Sequence, residues 1–453
     1  MKDILKDAGC DETVGRLGKL LKGKVDSYEI YFSVNKGFSA EAKDGAIDAL
    51  KVRSSAGVGL RTIKGRRSGF GFSSVLSVEA LRDMAENAVA GSRAVAEDEY
   101  LKFPAPGKGL SENGLDLIDE SFGKVAEEEM IKTAIEIEAA ARSHDERVKR
   151  VRKASFSESL AADRVVNSNG VDITHAATYY SGSVTAVAEE NGVSEMGWEM
   201  GMGHHRGAVR SSEIGRKAAL NAVSRLGARA MKTIKCGAVI ENIVACELLE
   251  ALASSFLGDN VIKGKSMLIG KKGQKIASGV LNIRDDGIMT GGWATSAFDA
   301  EGTASRKTAL VLEGLCQGYL YDTYWAGRAG TSSTGNASRG GFKSTPGIGI
   351  TNLYIEKGAK GFDEVIRELG DGLFITELLG VHTINTVSGD FSLGAAGFRV
   401  EGGKIAYPVR GMAIAGNLLG LFSNVAECAT DLRFIGSIGA PSLLIHEIEA
   451  SGT

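Results

Sequence analysis

The stretch Phe298-Asp299-Ala300-Glu301-Gly302-Thr303 lies in the half of the chain whose pattern decides the fold. Around it, short apolar runs are broken by glycine, which is typical of curved sheets or a barrel-like core. Asp299 and Glu301 precede a glycine, so they predict a capped turn ahead of a helix that begins at Lys307. Loop carboxylates beside glycine also serve binding sites, so both acids are candidates for either role.

Glycine and proline usage bounds the class of protein. The 453-residue chain contains 60 glycines and 5 prolines, and the glycines follow no fixed period. Because aliphatic residues are plentiful between them, collagen-like and disordered chains are excluded. A globular chain of this length holds two domains or more. We predict an α+β protein, with an N-terminal mixed α/β domain at residues 1–232 and a Gly-rich, β-dominated C-terminal domain with a few helices at 233–453.

Periodicity and capping signals predict the individual elements. In the first half, we expect helices at residues 5–21, from 77 onward, at 124–142 and at 213–226. The strands expected there are 26–33, 37–52, 57–61, 69–73, 148–157, 164–167 and 175–189. In the second half, we expect helices at 244–256, 307–328 and 417–430. The short strands expected there are 266–269, 274–280, 347–354, 398–400 and 405–407.

Charge and cysteine content exclude several classes of partner. The net charge of −3 and pI near 6.2 create no field toward nucleic acid or an anionic membrane. The one basic run, at 148–153, alternates as the wet face of a strand would. No apolar stretch reaches the ~18 residues of a membrane span. The odd number of cysteines, without a C-x-x-C pair, and the mixed charge of the first residues favour a cytoplasmic protein with reduced thiols.

Short motifs follow one another in a recognisable order along nearly the whole chain. They are Gly57-Val58-Gly59-Leu60-Arg61, Val166-Asn167-Ser168-Asn169-Gly170, Asp285-Asp286-Gly287, Ser333-Thr334-Gly335-Asn336-Ala337-Ser338-Arg339, Gly389-Asp390-Phe391-Ser392 and Ala415-Gly416-Asn417-Leu418. By these motifs the chain resembles the TldD/PmbA family, and within it the PmbA (TldE) branch. Some members of that family are labelled modulators of DNA gyrase, although nothing in these residues supports direct contact with DNA.

The resemblance also identifies a position where a metal site is expected to be missing. In the catalytic TldD branch a helix carries His-Glu-x-x-x-His, and Leu249-Glu250-Ala251-Leu252-Ala253-Ser254 lies at that place. The third ligand of that branch, a cysteine, has no counterpart at 431–437, and Cys428 lies earlier, in the helix predicted at 417–430. The resemblance therefore implies no catalytic residue and no metal ligand here. It implies instead a vestigial site of Leu249, Glu250 and Ser254, with Glu250 either solvated or lining that site.

Two further groups of residues are candidates for chemistry. Asn336, Arg339 and Asp390 lie on loops rich in short polar side chains, where they either hold a peptide carbonyl or carboxylate or brace the loop. Together with Asp299 and Glu301, they form the candidate peptide cleft. His204 and His205 are adjacent, so on a strand they would point to opposite faces and would not chelate one ion. We expect them at surface or turn positions rather than in a zinc site.

The resemblance leads to one leading hypothesis and two alternatives. The leading hypothesis is a non-catalytic subunit that pairs with a TldD-like metallopeptidase, which would hold the zinc. Unfolded peptide would then be bound extended, through strand-to-edge hydrogen bonds. The first alternative is an autonomous homodimeric peptidase with an unrecognised metal site. The second is a homodimeric peptide-binding protein, since the dimer partner could be a second copy of the chain.

Overall fold

The computed structural model describes residues 2–109 and 114–452. Its strand content of 41% exceeds its helix content of 25%, which confirms the predicted α+β class. The helices are α1 (Lys2–Asp7), α2 (Cys10–Leu21), α3 (Val78–Gly91), α4 (Glu127–Arg142), α5 (Ser211–Ser224), α6 (Asn242–Ala253), α7 (Gly258–Ile262), α8 (Thr323–Arg328), α9 (Phe362–Leu369) and α10 (Leu418–Ser423). Within the described ranges, no helix combines the length and apolar character that a membrane crossing requires.

A long antiparallel sheet dominates the first half. Its strands are β1 (Ser27–Lys43), β2 (Ala46–Lys64), β3 (Arg67–Ser73), β4 (Val148–Asn167), β5 (Asp172–Glu190) and β6 (Val193–Gly203), in the order β3-β2-β1-β4-β5-β6. Side chains alternate between the two faces of a strand. On β1, Phe32 and Phe38 therefore share the face on which helices α2 to α5 pack. Glu29 and Tyr31 point to the other face, toward the second half.

The second half contains two larger sheets and one strand pair. Its strands, together with the short β7 that precedes them, are β7 (Arg229–Ala230), β8 (Ile234–Ile240), β9 (Ile283–Asp286), β10 (Lys307–Leu312), β11 (Leu315–Cys316), β12 (Ala337–Ser338), β13 (Gly347–Ile348), β14 (Leu353–Ile355), β15 (Gly372–Leu379), β16 (Asp390–Glu401), β17 (Lys404–Asn417), β18 (Val425–Cys428), β19 (Arg433–Ile435), β20 (Ile438–Ala440) and β21 (Leu443–Ser451). One sheet has the order β11-β10-β9-β14-β20-β19, and the other has the order β18-β21-β8-β15-β16-β17-β7.

The helix α6 belongs to the apolar core between these sheets. Its Leu248, Leu249 and Leu252 are buried in one cluster with side chains from both larger sheets. An apolar helix surrounded in this way gains its stability from burial rather than from propensity. The core of the second half therefore fixes the direction in which each α6 side chain points.

The prediction of a helix at 307–328 is wrong for most of these residues. Residues Lys307–Leu312 form β10, which turns back into β11 at Glu313 and Gly314. Both turn residues have positive φ, 48° and 75°, as a tight hairpin requires. Only Thr323–Arg328 is helical. The apolar residues of this stretch suited either period, and pairing with β9 favoured the strand.

Several other predicted boundaries need correction. The helix predicted at 417–430 ends at Ser423, and the chain continues as β18, so Cys428 lies on a strand. Residues 266–269 and 274–280 contain no strand. The helix predicted at 5–21 is broken at Gly9, where φ is 78°. The first hairpin turns at Asp44 and Gly45 rather than near residue 35, because β1 and β2 each run unbroken for longer than predicted.

Candidate functional site

The three residues of the expected vestigial site point in different directions. Leu249 is 0% exposed in the core, whereas Glu250, the next residue along α6, is exposed to solvent. Successive helix residues are rotated by about 100°, so this separation follows from the helix itself. Ser254 follows the last turn and is partly buried, and its hydroxyl has no hydrogen-bond partner among the described residues. The three side chains therefore do not converge on one point.

The donor set around α6 does not fit a zinc ion. Leu249 offers no donor atom, and a catalytic zinc site needs three convergent imidazole, thiolate or carboxylate ligands. The nearest thiol, Cys246, lies 3.5 Å from the carbonyl oxygen of Arg433. Burial raises the pKa of Cys246 to about 12, and burial likewise raises the pKa of Cys428 to about 12. Across the described ranges, no three His, Cys, Asp or Glu side chains form a group that could hold a metal ion.

His204 and His205 have separate partners. His204 is buried, with Nδ1 2.7 Å from the carbonyl oxygen of Thr178 and Nε2 3.0 Å from that of Gly292. It therefore joins the first half of the chain to the second. His205 is exposed, and its Nε2 lies 2.9 Å from Asp116. Both histidines lie in the bend after β6, and only His205 is at the surface, because a loop of the second half covers His204.

Three of the five candidate cleft residues line one cavity between the halves. This junction cavity, of about 280 Å³, is bounded by Asp299, Asn336 and Arg339 from the second half. From the first sheet it is bounded by Tyr31 and Asp163, among others. Burial raises the pKa of Asp163, whose Oδ1 has no hydrogen-bond partner among the described residues. The cavity thus combines polar side chains from loops of the second half with a carboxyl group from the first sheet.

Glu301 and Arg339 belong to a buried network of four charges. Arg61 donates from Nε and Nη2 to the two oxygens of Glu29, at 2.8 and 2.6 Å, and from Nη2 to Glu301 at 2.8 Å. Arg339 completes the network by donating to Glu29. Burial alone would raise the pKa of Glu29, but the two guanidinium groups outweigh it and hold that pKa below its usual value. The two negative charges of the carboxylates and the two positive charges of the guanidinium groups therefore compensate one another inside the protein.

The carboxylate of Asp299 is occupied by hydrogen bonds from backbone amides. Its Oδ1 accepts hydrogen bonds from the amides of Glu301 and Thr303, both at 2.9 Å, and its Oδ2 accepts one from Ala337 at 3.0 Å. Burial, assisted by the charge of Glu301, raises the pKa of Asp299 to about 7. The turn expected at Asp299 is thus present, although the helix expected after it is not. In this geometry Asp299 braces two loops that border the junction cavity.

Asn336 and Asp390 occupy different surroundings. Asn336 is buried and donates to Asp285 at 3.0 Å and to the carbonyl oxygen of Gly349 at 3.1 Å. Asp390 is exposed at the start of β16, where it accepts hydrogen bonds from Ser388 and Asn417. It is not among the residues that line the junction cavity. The structure therefore does not bring Asp390 together with the other four candidates.

Sequence reasoning missed the partners that the first sheet contributes. Glu29 and Tyr31 lie on β1, one on either side of the buried Ile30. An acid in a strand of buried apolar residues is a signal in itself, because a buried carboxylate needs a counterion. The register of β1 and β2 places Arg61 opposite Glu29, whereas the second counterion, Arg339, depends on how the halves dock, which no pattern along the chain gives.

Comparisons with known proteins find family models and relatives that match nearly the full length of the chain. Models of the PmbA/TldA metallopeptidase domain 1, central domain and C-terminal domain match residues 28–92, 120–226 and 233–452. Metalloprotease PmbA of Escherichia coli O157:H7 is 29% identical, over 98% of this chain and 96% of its own length. A Thermotoga maritima structure whose name refers to modulation of DNA gyrase is 25% identical, with a TM-score of 0.90, over 97% of this chain and 100% of its own. TldE from Thermococcus kodakarensis shares the fold, with a TM-score of 0.89 at 22% identity, over 97% and 100% of the two chains.

Substitutions on α6 should separate packing from chemistry. We expect Leu249→Ala to lower the free energy of unfolding by about 2–5 kcal/mol, because it opens a cavity in the core. The matched change Glu250→Ala should shift it by less than about 0.5 kcal/mol, since that side chain is solvated. Denaturant unfolding of both variants measures the difference. Equal effects would contradict the orientation of α6.

Removing one charge from the buried network should cost more than removing an exposed arginine. Arg339→Ala leaves Glu29 with a single counterion, so we expect a loss of about 3–5 kcal/mol in the free energy of unfolding. Arg306→Ala is the control, because Arg306 is exposed and, among the described residues, donates to the loop carbonyl oxygens of Ser333 and Thr334. Thermal and denaturant unfolding report both values. A loss for Arg339→Ala no larger than that of the control would refute the network's role.

Proposed function

Because the chain belongs to the PmbA/TldD metallopeptidase family, we propose that it is a non-catalytic, PmbA (TldE)-like subunit. In this proposal it pairs with a TldD-like metallopeptidase and helps to hold peptide substrate in an extended conformation. The observation that carries the proposal is the burial of Leu249 in the apolar core, where the catalytic branch would present a ligand. Activation of water by zinc needs convergent donors, so that chemistry belongs to the partner.

Two strand edges support the peptide-binding part of the proposal. In the described chain, β6 pairs only with β5 and β19 pairs only with β20. A cavity of about 380 Å³ lies between these edges and is lined by Met200 and Met202 from β6 and by Phe434 from β19. We call it the edge cavity. An unpaired edge can accept an extended chain through backbone hydrogen bonds, which do not depend on the peptide's side chains.

Contacts of Arg433 place the edge cavity beside α6. Arg433 forms an ion pair with the buried Glu199 and donates to the carbonyl oxygen of Met200 at 3.4 Å. The carbonyl oxygen of Arg433 itself lies against the thiol of Cys246 on α6. A peptide in the edge cavity would therefore run close to the helix that corresponds to the catalytic helix of the other branch. The free cysteines of the chain support a reducing, cytoplasmic setting for this role.

Reconstitution tests the subunit role. We expect a TldD-like partner, prepared alone, to hydrolyse unfolded peptide poorly, and the equimolar mixture with this chain to be active and to elute as one complex. Metal analysis should find zinc at the level the partner contributes. The pure chain with stoichiometric zinc and peptidase activity would instead indicate an autonomous enzyme. Full activity of the partner alone would refute the proposal.

Backbone-directed binding can be tested separately from catalysis. We expect unrelated unfolded peptides to bind the complex with similar affinity, because the hydrogen bonds involve the peptide backbone. N-methylation at alternate residues should weaken binding by about tenfold or more in one register, since those amides face the strand edge. Shifting the same methyl groups by one residue supplies the control. Equal affinity in both registers, measured by fluorescence anisotropy, would exclude strand addition.

A further inference from the structure

The largest of the cavities described for this chain lies apart from both the junction cavity and the edge cavity. It has a volume of about 640 Å³, within the range of small-molecule sites. The hairpin of β2 and β3 contributes Ile63 and Phe70, the segment after α3 contributes Phe103, and α8 contributes Tyr324 and Trp325. We call it the aromatic cavity. Its walls combine four aromatic rings with aliphatic side chains, so they suit an apolar group.

One buried carboxylate in the aromatic cavity lacks an ion-pair partner. Asp322 is 3% exposed and lines the cavity. Its Oδ1 accepts the amide hydrogen of Trp325 at 2.8 Å and so caps α8. Among the described residues, no lysine, arginine or histidine nitrogen lies within 4.0 Å of its carboxylate. An asparagine would cap the helix equally well, so capping alone does not account for the charge.

Other charged groups around the aromatic cavity are either engaged with protein partners or exposed to solvent. Arg61 is bound to Glu29 and Glu301 within the buried network. Lys102 lines the cavity but is exposed to solvent. Asp98 accepts a hydrogen bond from the hydroxyl of Tyr324 at 2.6 Å. These engagements leave Asp322 as the buried charge that a ligand could compensate.

A second polar group in the wall is also without a partner. Thr62 is 1% exposed and lines the aromatic cavity, and its hydroxyl has no hydrogen-bond partner within the described part of the chain. Burial raises the pKa of Asp322 to about 6, because the ionised form is poorly solvated there. A positive charge placed against this carboxylate would favour ionisation again. Both groups therefore favour a ligand that brings its own donors.

We propose that the aromatic cavity binds an apolar amine, with the ammonium group against Asp322 and the apolar group among Phe70, Phe103, Tyr324 and Trp325. The amino terminus of a peptide that begins with an aromatic residue has this chemistry, and so does a free aryl-alkyl amine. The inference goes beyond the proposed function, because the aromatic cavity is separate from the edge cavity. It requires no metal, no partner subunit and no covalent step.

Titration of the purified full-length chain with small probes tests the site. Phenylalaninamide carries the ring and the amine, acetyl-phenylalaninamide lacks the charge, and ethylamine lacks the ring. We expect the first to bind at least about tenfold more tightly than either of the others, since charge and apolar area act together. Calorimetry gives the affinities, and the change in tryptophan fluorescence, to which Trp325 contributes, gives a second readout. Absence of saturable binding, or equal affinity for the charged and acetylated probes, would overturn the proposal.

A variant that removes the charge of Asp322 tests whether the amine binds at this residue. Asp322→Asn keeps the helix cap, so it should fold, and it should bind phenylalaninamide about tenfold more weakly while leaving acetyl-phenylalaninamide unchanged. Asp259→Asn is the matched control, because Asp259 lies on the neighbouring α7 and does not line the cavity. If Asp322→Asn proves unstable, Phe70→Ala should weaken binding of both aromatic probes. Unchanged affinity of Asp322→Asn for phenylalaninamide would overturn the placement of the ammonium group against Asp322.

The same titration distinguishes two sources of the ligand. A phenylalanine-initiated tripeptide that binds at least as tightly as phenethylamine supports a peptide end, whereas the reverse order supports a free amine. Either order of affinity is consistent with the site. If neither ligand binds, the proposal is refuted. Because this assay uses the chain alone, it can fail while the mixture with a TldD-like partner is active. The converse result would refute the subunit role and leave the site intact.

Discussion

Four buried charges determine how the two halves of the molecule meet. Glu29 and Arg61 come from the first sheet, and Glu301 and Arg339 come from loops of the second half. A buried carboxylate or guanidinium is costly unless its partner is present, so either half alone would expose or strand its own charges. The network therefore favours one docked arrangement over others with similar apolar contact. Close packing reinforces this, because a Cβ at Gly57 would lie 2.4 Å from the ring of Phe342.

The docked arrangement creates the junction, edge and aromatic cavities, since all three take residues from both halves. The junction cavity borders Arg339, and the aromatic cavity borders Arg61 and Glu301, so two of the three touch the charge network directly. These charges are engaged with one another, whereas Asp322 has no ion-pair partner among the described residues and would be available to the proposed ligand. The chemistry of the cavity walls is thus a consequence of contact between the halves rather than of a single motif.

Much of the first half could be predicted because its signals are local. Ser77 caps α3, and the alternation along β5 is regular enough to read from the sequence. The stretch after Lys307 could not be predicted, because its apolar residues fit a helix or a strand and the decision rests on pairing with β9. For the site, Asp299, Asn336 and Arg339 line one cavity, and their role in holding peptide stays a prediction. Glu29 and Asp163 come from the first sheet, and no pattern along the chain predicts how that sheet docks against the second half. Such tertiary partners need the fold itself.

The outer edge of β6 pairs with no other strand among the described residues, yet part of it is covered by side chains. Exposed edges pair with other chains, so proteins usually block them. Here the carbonyl oxygens of Met196 and Trp198 accept hydrogen bonds from Arg225 and Asn221 of the first half, both at 3.0 Å. The next carbonyl oxygen on this edge, that of Met200, accepts a hydrogen bond from Arg433 of the second half at 3.4 Å. Side chains of its own half therefore cover two carbonyl oxygens of this edge, and the carbonyl oxygen of Met200 has the longest of these contacts. A peptide of the kind proposed would have to displace Arg433 to reach that carbonyl oxygen, beside α6.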